Sequence, residues 1–411
     1  MNVLPVREQS RVVGDVLRER LDTLLPALMR ETGFDMWVIA CNEDNYDPVF
    51  RTITPWDVWA PILQLIVFFD RGDDVERLNI SLTDLGDLMA PAWRLTDEDD
   101  QWATFRRIVH ERDPKRIGIN VSDTIWAADG LTASLRDRVV ATLGKAYEER
   151  LASAEPLCIR WLETRLPREL ALYEQACAIA HEVIATCFSR RTITPGVTTT
   201  DDLRWSYWQA VTNLGLPVSF PAFYRLHRSP RAREDHGDRG VIHPGDLLHC
   251  DVGLEYLRLI TDHQEMAYVL RPGETDAPEG LREGIAEANR LQDVFVSCWR
   301  EGATGNDILA DALTRARQAD IPKPKIYSHS LSHYLHEPGP LMGLPWEQTN
   351  TGARGDIAMR YDTTYTVELS ITRRVHEWDD AEVTFALEQD ATFTRDGVTF
   401  VDGRQTQLHL V

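Results

Sequence analysis

The stretch His329-Ser-Leu-Ser-His333-Tyr-Leu-His336-Glu337-Pro338 carries three histidines within eight residues and ends on an acid and a proline. Imidazole is the commonest metal-binding side chain at neutral pH, so a cluster of this density indicates a bound metal. Acids on both sides of the stretch offer further ligands: Asp251, Asp262, Glu368 and Glu388. Four carboxylates and one imidazole make a mostly oxygen site, which suits a pair of hard or borderline divalent cations.

The two aspartates occur on segments that are typical of neighbouring strands. Asp251 lies inside an apolar run over residues 247–253, and Asp262 ends the run over residues 259–262. An ionised carboxylate in such a run is unfavourable unless it is paired or holds a metal. A hairpin turning near Tyr256 and Leu257 would bring the aspartates roughly opposite each other, where two like charges need cations between them. The alternative is that one aspartate ends a strand and the other caps the hairpin.

Length and charge limit the classes of protein to which the chain can belong. Its 411 residues are enough for two or more domains with full cores, and 43% of them are hydrophobic, as in a globular protein. The formal net charge is -21. A charge of this sign repels nucleic-acid phosphates and anionic lipid, so we expect neither nucleic acid nor a membrane as a partner.

The cysteines indicate a reducing compartment. They are scattered, without a C-x-x-C pair: Cys41, Cys158, Cys177, Cys187, Cys250 and Cys298. This pattern fits free thiols, and we therefore expect a cytoplasmic protein.

The element pattern predicts two domains, residues 1–158 and residues 159–411. Helical periodicity over residues 6–33 is followed by strand-like runs that alternate with helical patterns, which indicates a smaller α/β domain. From residue 159 the pattern becomes helical, and after residue 243 it becomes strand-rich. Helices followed by antiparallel strands indicate an α+β second domain, with helices packed on a curved sheet.

The five ligand types occur in an order that resembles the pita-bread metallopeptidases, the superfamily of aminopeptidase P, prolidase, methionine aminopeptidase and creatinase. The similar features are the eleven-residue step between the aspartates, the seven-residue step from His329 to His336, and the segments Tyr365-Thr-Val-Glu368 and Leu387-Glu388-Gln-Asp390. The resemblance covers roughly residues 160–411 and implies a C-terminal pita-bread fold. The first domain resembles the creatinase-type N-terminal domain by its α/β pattern and position.

The resemblance also implies residue roles. Asp251, Asp262, His329, Glu368 and Glu388 would bind two divalent metal ions, with Asp262 and Glu388 bridging them. Glu368 would in addition accept the proton of the attacking water, a hydroxide shared by the two ions. His336 would donate a hydrogen bond to the oxyanion of the tetrahedral intermediate.

The histidine stretch allows a second alignment, in which His333 is the metal ligand. That alignment needs a gap before the next histidine, whereas the first needs none, so we favour His329 as ligand and assign His333 to the substrate pocket. An upstream substrate-side histidine is less defined. His236 is the candidate, although its charged surroundings are equally typical of a solvated loop.

Several positions differ from the family pattern. Serines at 328 and 330 replace the glycines around the metal-binding histidine, and Ala386 replaces an arginine found two residues before the last glutamate in proline-specific members. These departures leave the predicted ligands in place and affect the residues that grip a peptide. Substrate class is therefore less constrained than fold.

Three functions remain in competition at this point. The first is a dinuclear metallopeptidase that cleaves Xaa-Pro bonds in short peptides, as an aminopeptidase or dipeptidase. The second is a creatinase-type C–N hydrolase or metal-dependent lyase acting on a small molecule, and the third is a binding protein that keeps the fold. We expect manganese by ligand type and family analogy, with zinc, cobalt or iron as alternatives, and we expect a homodimer by the same analogy.

Overall fold

The chain divides at residue 164 into an N-terminal unit, residues 4–164, and a C-terminal unit that begins at residue 165. A computed structural model describes residues 3–237 and 240–411. The predicted boundary between residues 158 and 159 lies inside helix Glu155–Glu163, which belongs to the N-terminal unit. Pro156 lies in the first turn of this helix, where a missing N–H has no intrahelical partner to lose, so it starts a helix and does not end a domain.

The N-terminal unit is α/β, as predicted. Its sheet has the strand order β4-β3-β2-β1-β5-β6 and is mixed, since β1 pairs antiparallel with β2 and parallel with β5. The strands are β1 (Met36–Asn42), β2 (Leu63–Asp70), β3 (Val75–Asn79), β4 (Ala90–Pro91), β5 (Ile117–Ile119) and β6 (Leu151–Ser153). The helices are α1 (Val6–Glu19), α2 (Leu25–Thr32), α3 (Gln101–Arg112), α4 (Ala133–Leu143), α5 (Lys145–Glu148) and α6 (Glu155–Glu163). A π-helical turn, Arg20–Leu24, joins α1 to α2.

The C-terminal unit places helices on antiparallel sheets, which confirms the predicted α+β class. Its helices are α7 (Pro167–Cys187), α8 (Thr200–Asn213), α9 (Pro230–His236), α10 (Glu279–Val296) and α11 (Gly305–Gln318). The strands before residue 300 are β7 (Phe223–His227), β8 (Leu247–Val252), β9 (Glu255–Tyr256), β10 (Leu259–Ile260) and β11 (His263–Tyr268). The later strands are β12 (Lys325–Ile326), β13 (Thr363–Thr366), β14 (Leu369–Val375), β15 (Ala381–Leu387), β16 (Asp390–Thr394), β17 (Gly397–Phe400) and β18 (His409–Leu410).

The predicted ligands lie on or between the strands of three sheets in this unit. Their strand orders are β18-β11-β8-β7, β12-β14-β15 and β13-β16-β17. Helix α10 packs its apolar face on β14 and β15, and buried residues from these elements and α11 form one continuous core. Within the described residues, no helix is both long and apolar enough to cross a bilayer.

The hairpin between the two aspartates turns one residue later than predicted. Leu257 and Arg258 form the turn, both with positive φ. Glycine and asparagine are the usual residues at such positions, and neither occurs here, so the sequence gives no signal for the turn. A shift of one residue in the turn moves the pairing by two, so Asp251 lies opposite Gln264 and not opposite Asp262. Asp262 comes directly before β11, one diagonal step from Asp251 on the same face.

Candidate metal centre

Three of the predicted ligands come together in a buried cluster. Ligand atoms of Asp262, His329 and Glu388 all lie within 4.8 Å of one another. His329 Nε2 is 3.6 Å from Asp262 Oδ2 and 3.9 Å from Glu388 Oε1. Atoms that bind one divalent ion at about 2.0–2.2 Å lie about 3–4 Å from each other, so this cluster has the dimensions of a metal site.

Hydrogen bonds orient His329 for binding through Nε2. Its Nδ1 lies 3.1 Å from the carbonyl oxygen of Ser330, which accepts the Nδ1–H and leaves the Nε2 lone pair facing the carboxylates. The backbone N–H of His329 donates to Thr366 Oγ1. The serines that replace the family's glycines also hold this loop, since Ser328 donates to the Thr366 carbonyl and Ser330 Oγ accepts from the Gly339 N–H.

The unpaired polar atoms of the cluster test whether a cation fits. Asp262 Oδ1, His329 Nε2 and Glu388 Oε1 are fully buried, and none has a hydrogen-bond partner among the described residues. Buried polar atoms without partners are destabilising, at about 1–3 kcal/mol each. His329 Nε2 and Glu388 Oε1 lie 3.9 Å apart and both offer electron pairs, and Asp262 Oδ2 lies 3.6 Å from the same nitrogen, so one divalent cation could bind all three residues.

The acids of the site resist ionisation without a cation. Burial and, next, the neighbouring carboxylates raise the pKa of Asp262, Glu368 and Glu388 well above the usual range. Burial also raises the pKa of Asp251 to about 6 and lowers that of His329 to about 3. Perturbed groups of this kind concentrate at functional sites.

Glu368 reaches the same point from the loop between β13 and β14. Its Oε2 lies 4.0 Å from His329 Nε2. Its other oxygen, Oε1, accepts a hydrogen bond of 2.6 Å from the amide of Gln264, which also donates to Glu388 Oε2 at 2.8 Å. The site thus holds an amide between two of its carboxylates, a feature that the sequence interpretation missed.

Asp251 lies on the strand next to the residue that carries this amide. It faces Gln264 across the β8–β11 pair and is half-buried. Its pKa is raised first by burial, and Arg225 on β7 works in the opposite direction. Asp251 is not part of the close cluster around His329, so the structure brings four of the predicted ligands to one point and leaves the fifth beside it.

A second buried group supports Asp262 from behind. Asp390 Oδ2 accepts hydrogen bonds from Tyr173 Oη at 2.9 Å and from the Asp262 N–H at 3.3 Å. Cys177 and His263 lie around the same oxygen, and ligand atoms of Cys177, His263 and Asp390 are within 4.8 Å of one another. Because Asp390 already accepts several hydrogen bonds, we interpret this group as support for the loop that carries Asp262.

His336 lies beside the cluster on its exposed side. Its ring centroid is 4.5 Å from that of His329, and its side chain is exposed. Partial burial and the neighbouring Arg354 lower the pKa of His336, so the ring is neutral at physiological pH and carries an N–H that can donate. Arg354 Nη2 is itself buried and has no hydrogen-bond partner among the described residues.

His333 and His236 lie apart from this cluster. His333 Nδ1 is 3.1 Å from the carbonyl oxygen of Arg258, and its Nε2 is 3.6 Å from Glu169 Oε1. His236, at the exposed end of α9, stacks on His243 with ring centroids 3.9 Å apart. Of the three histidines in the opening stretch, His329 is the one that lies among the predicted carboxylate ligands.

The acid cluster makes a prediction about the pH dependence of stability. A pKa raised in the folded state means that the fold binds more protons than the unfolded chain, so the free energy of unfolding falls as pH rises through that window. For Asp251 the window runs from its usual pKa of 3.8 to about 6. Because the pKa values of Asp262, Glu368 and Glu388 are also raised, we expect the melting temperature of metal-free protein to fall as the pH rises from about 4 to 6 and to keep falling above pH 6.

Added divalent metal is expected to reverse this trend, because its ligands bind only when deprotonated. Thermal melts in a chelator and in excess Mn²⁺, at both ends of the pH range, measure the effect. Equal stabilisation by Mn²⁺ at the two pH values would contradict a carboxylate-rich site.

Comparisons with known proteins agree with this architecture. The family model of metallopeptidase family M24 matches residues 171–395, more than half of the chain. The fold is similar to an X-Pro aminopeptidase from Thermotoga maritima, with a TM-score of 0.64, 16% identity, and coverage of 94% of this chain and 100% of that one. It is similar to an Xaa-Pro dipeptidase from Bacillus anthracis, with a TM-score of 0.60, 16% identity, and coverage of 99% and 100%.

One of the similar structures does not carry the name of a peptidase. The N-terminal domain of a FACT complex subunit from chickpea, Cicer arietinum, matches with a TM-score of 0.62 at 10% identity, covering 96% of this chain and 99% of that one. No curated protein matches the sequence. The identities to these structures establish fold alone, and the family follows from the sequence match over residues 171–395. The chain therefore belongs to metallopeptidase family M24 and has the pita-bread fold of a metal-dependent peptidase.

Proposed function

We propose that the protein hydrolyses Xaa-Pro or closely similar amide bonds in short peptides, with Asp251, Asp262, His329, Glu368 and Glu388 holding two divalent metal ions. The observation that carries the proposal is the buried cluster of Asp262, His329 and Glu388, whose ligand atoms all lie within 4.8 Å of one another. Such ions lower the pKa of a water molecule towards neutrality and so supply the nucleophile for amide hydrolysis.

Glu368 is proposed as the catalytic base. One of its oxygens faces the cluster, 4.0 Å from His329 Nε2. A carboxylate within hydrogen-bond reach of the attacking water can accept its proton. Glu368 would take the proton of the attacking water and return it to the leaving amine.

His336 is proposed to bind the oxyanion. Its neutral, exposed ring lies against that of His329, where the carbonyl of a peptide in the site would develop negative charge. A hydrogen-bond donor already in place at such a point contributes to the rate because it needs no reorganisation. His336 therefore acts on the substrate, whereas His329 acts on the metal.

The position of Arg354 favours a substrate with a free carboxylate. The position that carries an arginine in proline-specific relatives is Ala386 here, so that cation is missing. Arg354 lies close enough to His329 and His336 to lower the pKa of both rings, and its Nη2 has no hydrogen-bond partner among the described residues. A guanidinium of this kind suits a carboxylate ligand, which favours a dipeptidase over an enzyme that cleaves long chains.

Replacing Arg354 with alanine is expected to raise KM for Xaa-Pro dipeptides by about 10- to 100-fold, the value of a charge-assisted hydrogen bond. KM for the same peptides with an amidated C-terminus should change little. Arg360→Ala is the matched control, because the Arg360 side chain is 42% exposed and pairs with Glu301. Equal effects of Arg354→Ala on free and amidated peptides would contradict the assignment.

The second proposed function is C–N hydrolysis or a lyase reaction on a small zwitterion in the same site. The replacement of the proline-specific arginine by Ala386 favours it, because substrate binding then rests on other residues. A trace-metal analysis followed by a screen of proline dipeptides and tripeptides separates the two functions. Metal-dependent cleavage of an Xaa-Pro bond would support the peptidase function. Bound metal without any cleavage would favour the hydrolase or lyase function on a small molecule.

Further properties follow as proposals. We propose manganese as the resident ion, with zinc, cobalt or iron as alternatives, a homodimeric assembly, and a cytoplasmic location. The location is supported by the six cysteines, which are all free and buried. We also propose that the N-terminal unit, for which the sequence predicts residues 1–158 and whose last helix runs to Glu163, is a creatinase-type domain. Sedimentation that detects only monomer at micromolar concentration would refute the dimer.

A further inference from the structure

The side-chain amide of Gln264 lies between two of the predicted carboxylate ligands, Glu368 and Glu388. Gln264 is on β11, directly opposite Asp251 on β8, and only 4% of its surface is exposed. Side chains of directly paired residues point to the same face of a sheet. Its amide nitrogen donates to Glu368 Oε1 at 2.6 Å and to Glu388 Oε2 at 2.8 Å.

The two glutamates divide their oxygens between two sides. Glu388 Oε1 and Glu368 Oε2 face His329 Nε2, at 3.9 Å and 4.0 Å. The opposite oxygens, Glu388 Oε2 and Glu368 Oε1, are the ones that accept from Gln264. An ion bound next to His329 would therefore leave the amide undisturbed, whereas an ion on the side of Asp251 would compete with it for Glu388 Oε2.

The amide is fixed from behind as well. Its oxygen lies 2.9 Å from His249 Nε2, and burial lowers the pKa of His249 to about 4, so this neutral ring donates to the amide. Both amide hydrogens and the amide oxygen are thus engaged. Displacing Gln264 breaks two hydrogen bonds to carboxylates, which are stronger than hydrogen bonds between neutral groups.

We propose that Gln264 makes the metal site asymmetric, with one ion held tightly beside His329 and a second, on the side of Asp251, bound weakly because it must displace the Gln264 amide. This inference rests on the proposed function for its metal ions. Gln264, which is not itself a metal ligand, would then control how many metal ions the site binds.

Titration of metal-free protein with Mn²⁺ tests the proposal without any substrate. Calorimetry of the wild type should resolve two classes of site, and the electron paramagnetic resonance spectrum at one equivalent should be that of an isolated Mn²⁺ ion. In Gln264→Ala and Gln264→Ser the affinity for the second ion should rise by about 10- to 100-fold, with the first affinity nearly unchanged. Using two small replacements protects the test against one variant that fails to fold.

Gln292→Ala is the matched control, because Gln292 is equally buried but lies on α10 and bonds Asn289. Its second-site affinity should equal that of the wild type. Two equally tight ions in the wild type, or an unchanged second affinity in both Gln264 variants, would overturn the inference. Tight binding with no peptide cleavage would instead remove the proposed function and leave the role of Gln264 intact, whereas no binding at all would overturn both.

Discussion

Glu388→Gln is expected to lose most of its bound metal and nearly all activity. The carboxylate is 1% exposed, one of its oxygens faces His329 and the other accepts from Gln264. Glutamine keeps the shape but removes the charge and turns an N–H toward the cation or toward another donor. Removing one partner of a buried charge costs about 3–5 kcal/mol, which corresponds to a loss in metal affinity on the order of 10²- to 10⁴-fold.

Glu382→Gln is the control for this change. Glu382 lies on β15, a few residues before Glu388, but its side chain is 49% exposed and pairs with Lys323. Metal content, measured by elemental analysis after dialysis, should be unchanged in Glu382→Gln and strongly reduced in Glu388→Gln. Full metal content in Glu388→Gln would remove Glu388 from the ligand set.

His336→Ala is expected to lower kcat by about 10²- to 10³-fold while metal content stays at the wild-type level. The expectation follows from the exposed position of His336 beside His329, where it can reach a substrate but does not face the carboxylates. KM should change less than kcat, because an interaction that forms only in the transition state does not contribute to ground-state binding.

His376→Ala is the control for the histidine variant, since the His376 side chain is 93% exposed and its Nδ1 lies 3.6 Å from Asp380. It should match the wild type in metal content and in kcat. Loss of metal from His336→Ala would reassign His336 as a ligand, and an unchanged kcat would remove it from the reaction.

The pattern of elements and the order of ligand types predicted the architecture, and four of the five predicted ligands lie near one another in the structure. Asp262, His329, Glu368 and Glu388 come together because buried strand ends tolerate ionisable side chains only where something compensates their charge. The histidine stretch alone left His329 and His333 as rivals, since either can be aligned with the metal-binding histidine of the family. What separates them is long-range: His333 contacts the Arg258 carbonyl and Glu169, from other parts of the chain.

The features that the sequence could not predict depend on register and on loops. Gln264 is an ordinary polar residue in sequence, and its place in the site follows from a hairpin turn at Leu257 and Arg258 that carries no turn signal. Arg354 comes to His336 through a short 3₁₀ turn, Gly352–Arg354, with no periodic pattern. The only available signal was chemical, namely a lone arginine in a glycine-rich loop.

Anomalous diffraction near the manganese edge, recorded from a crystal soaked in Mn²⁺, would locate the bound ions. We expect a strong anomalous peak about 2.0–2.2 Å from His329 Nε2 and from oxygens of Asp262 and Glu388, with a weaker peak or none on the side of Asp251. No peak at this point, or one placed instead among Cys177, His263 and Asp390, would contradict this expectation.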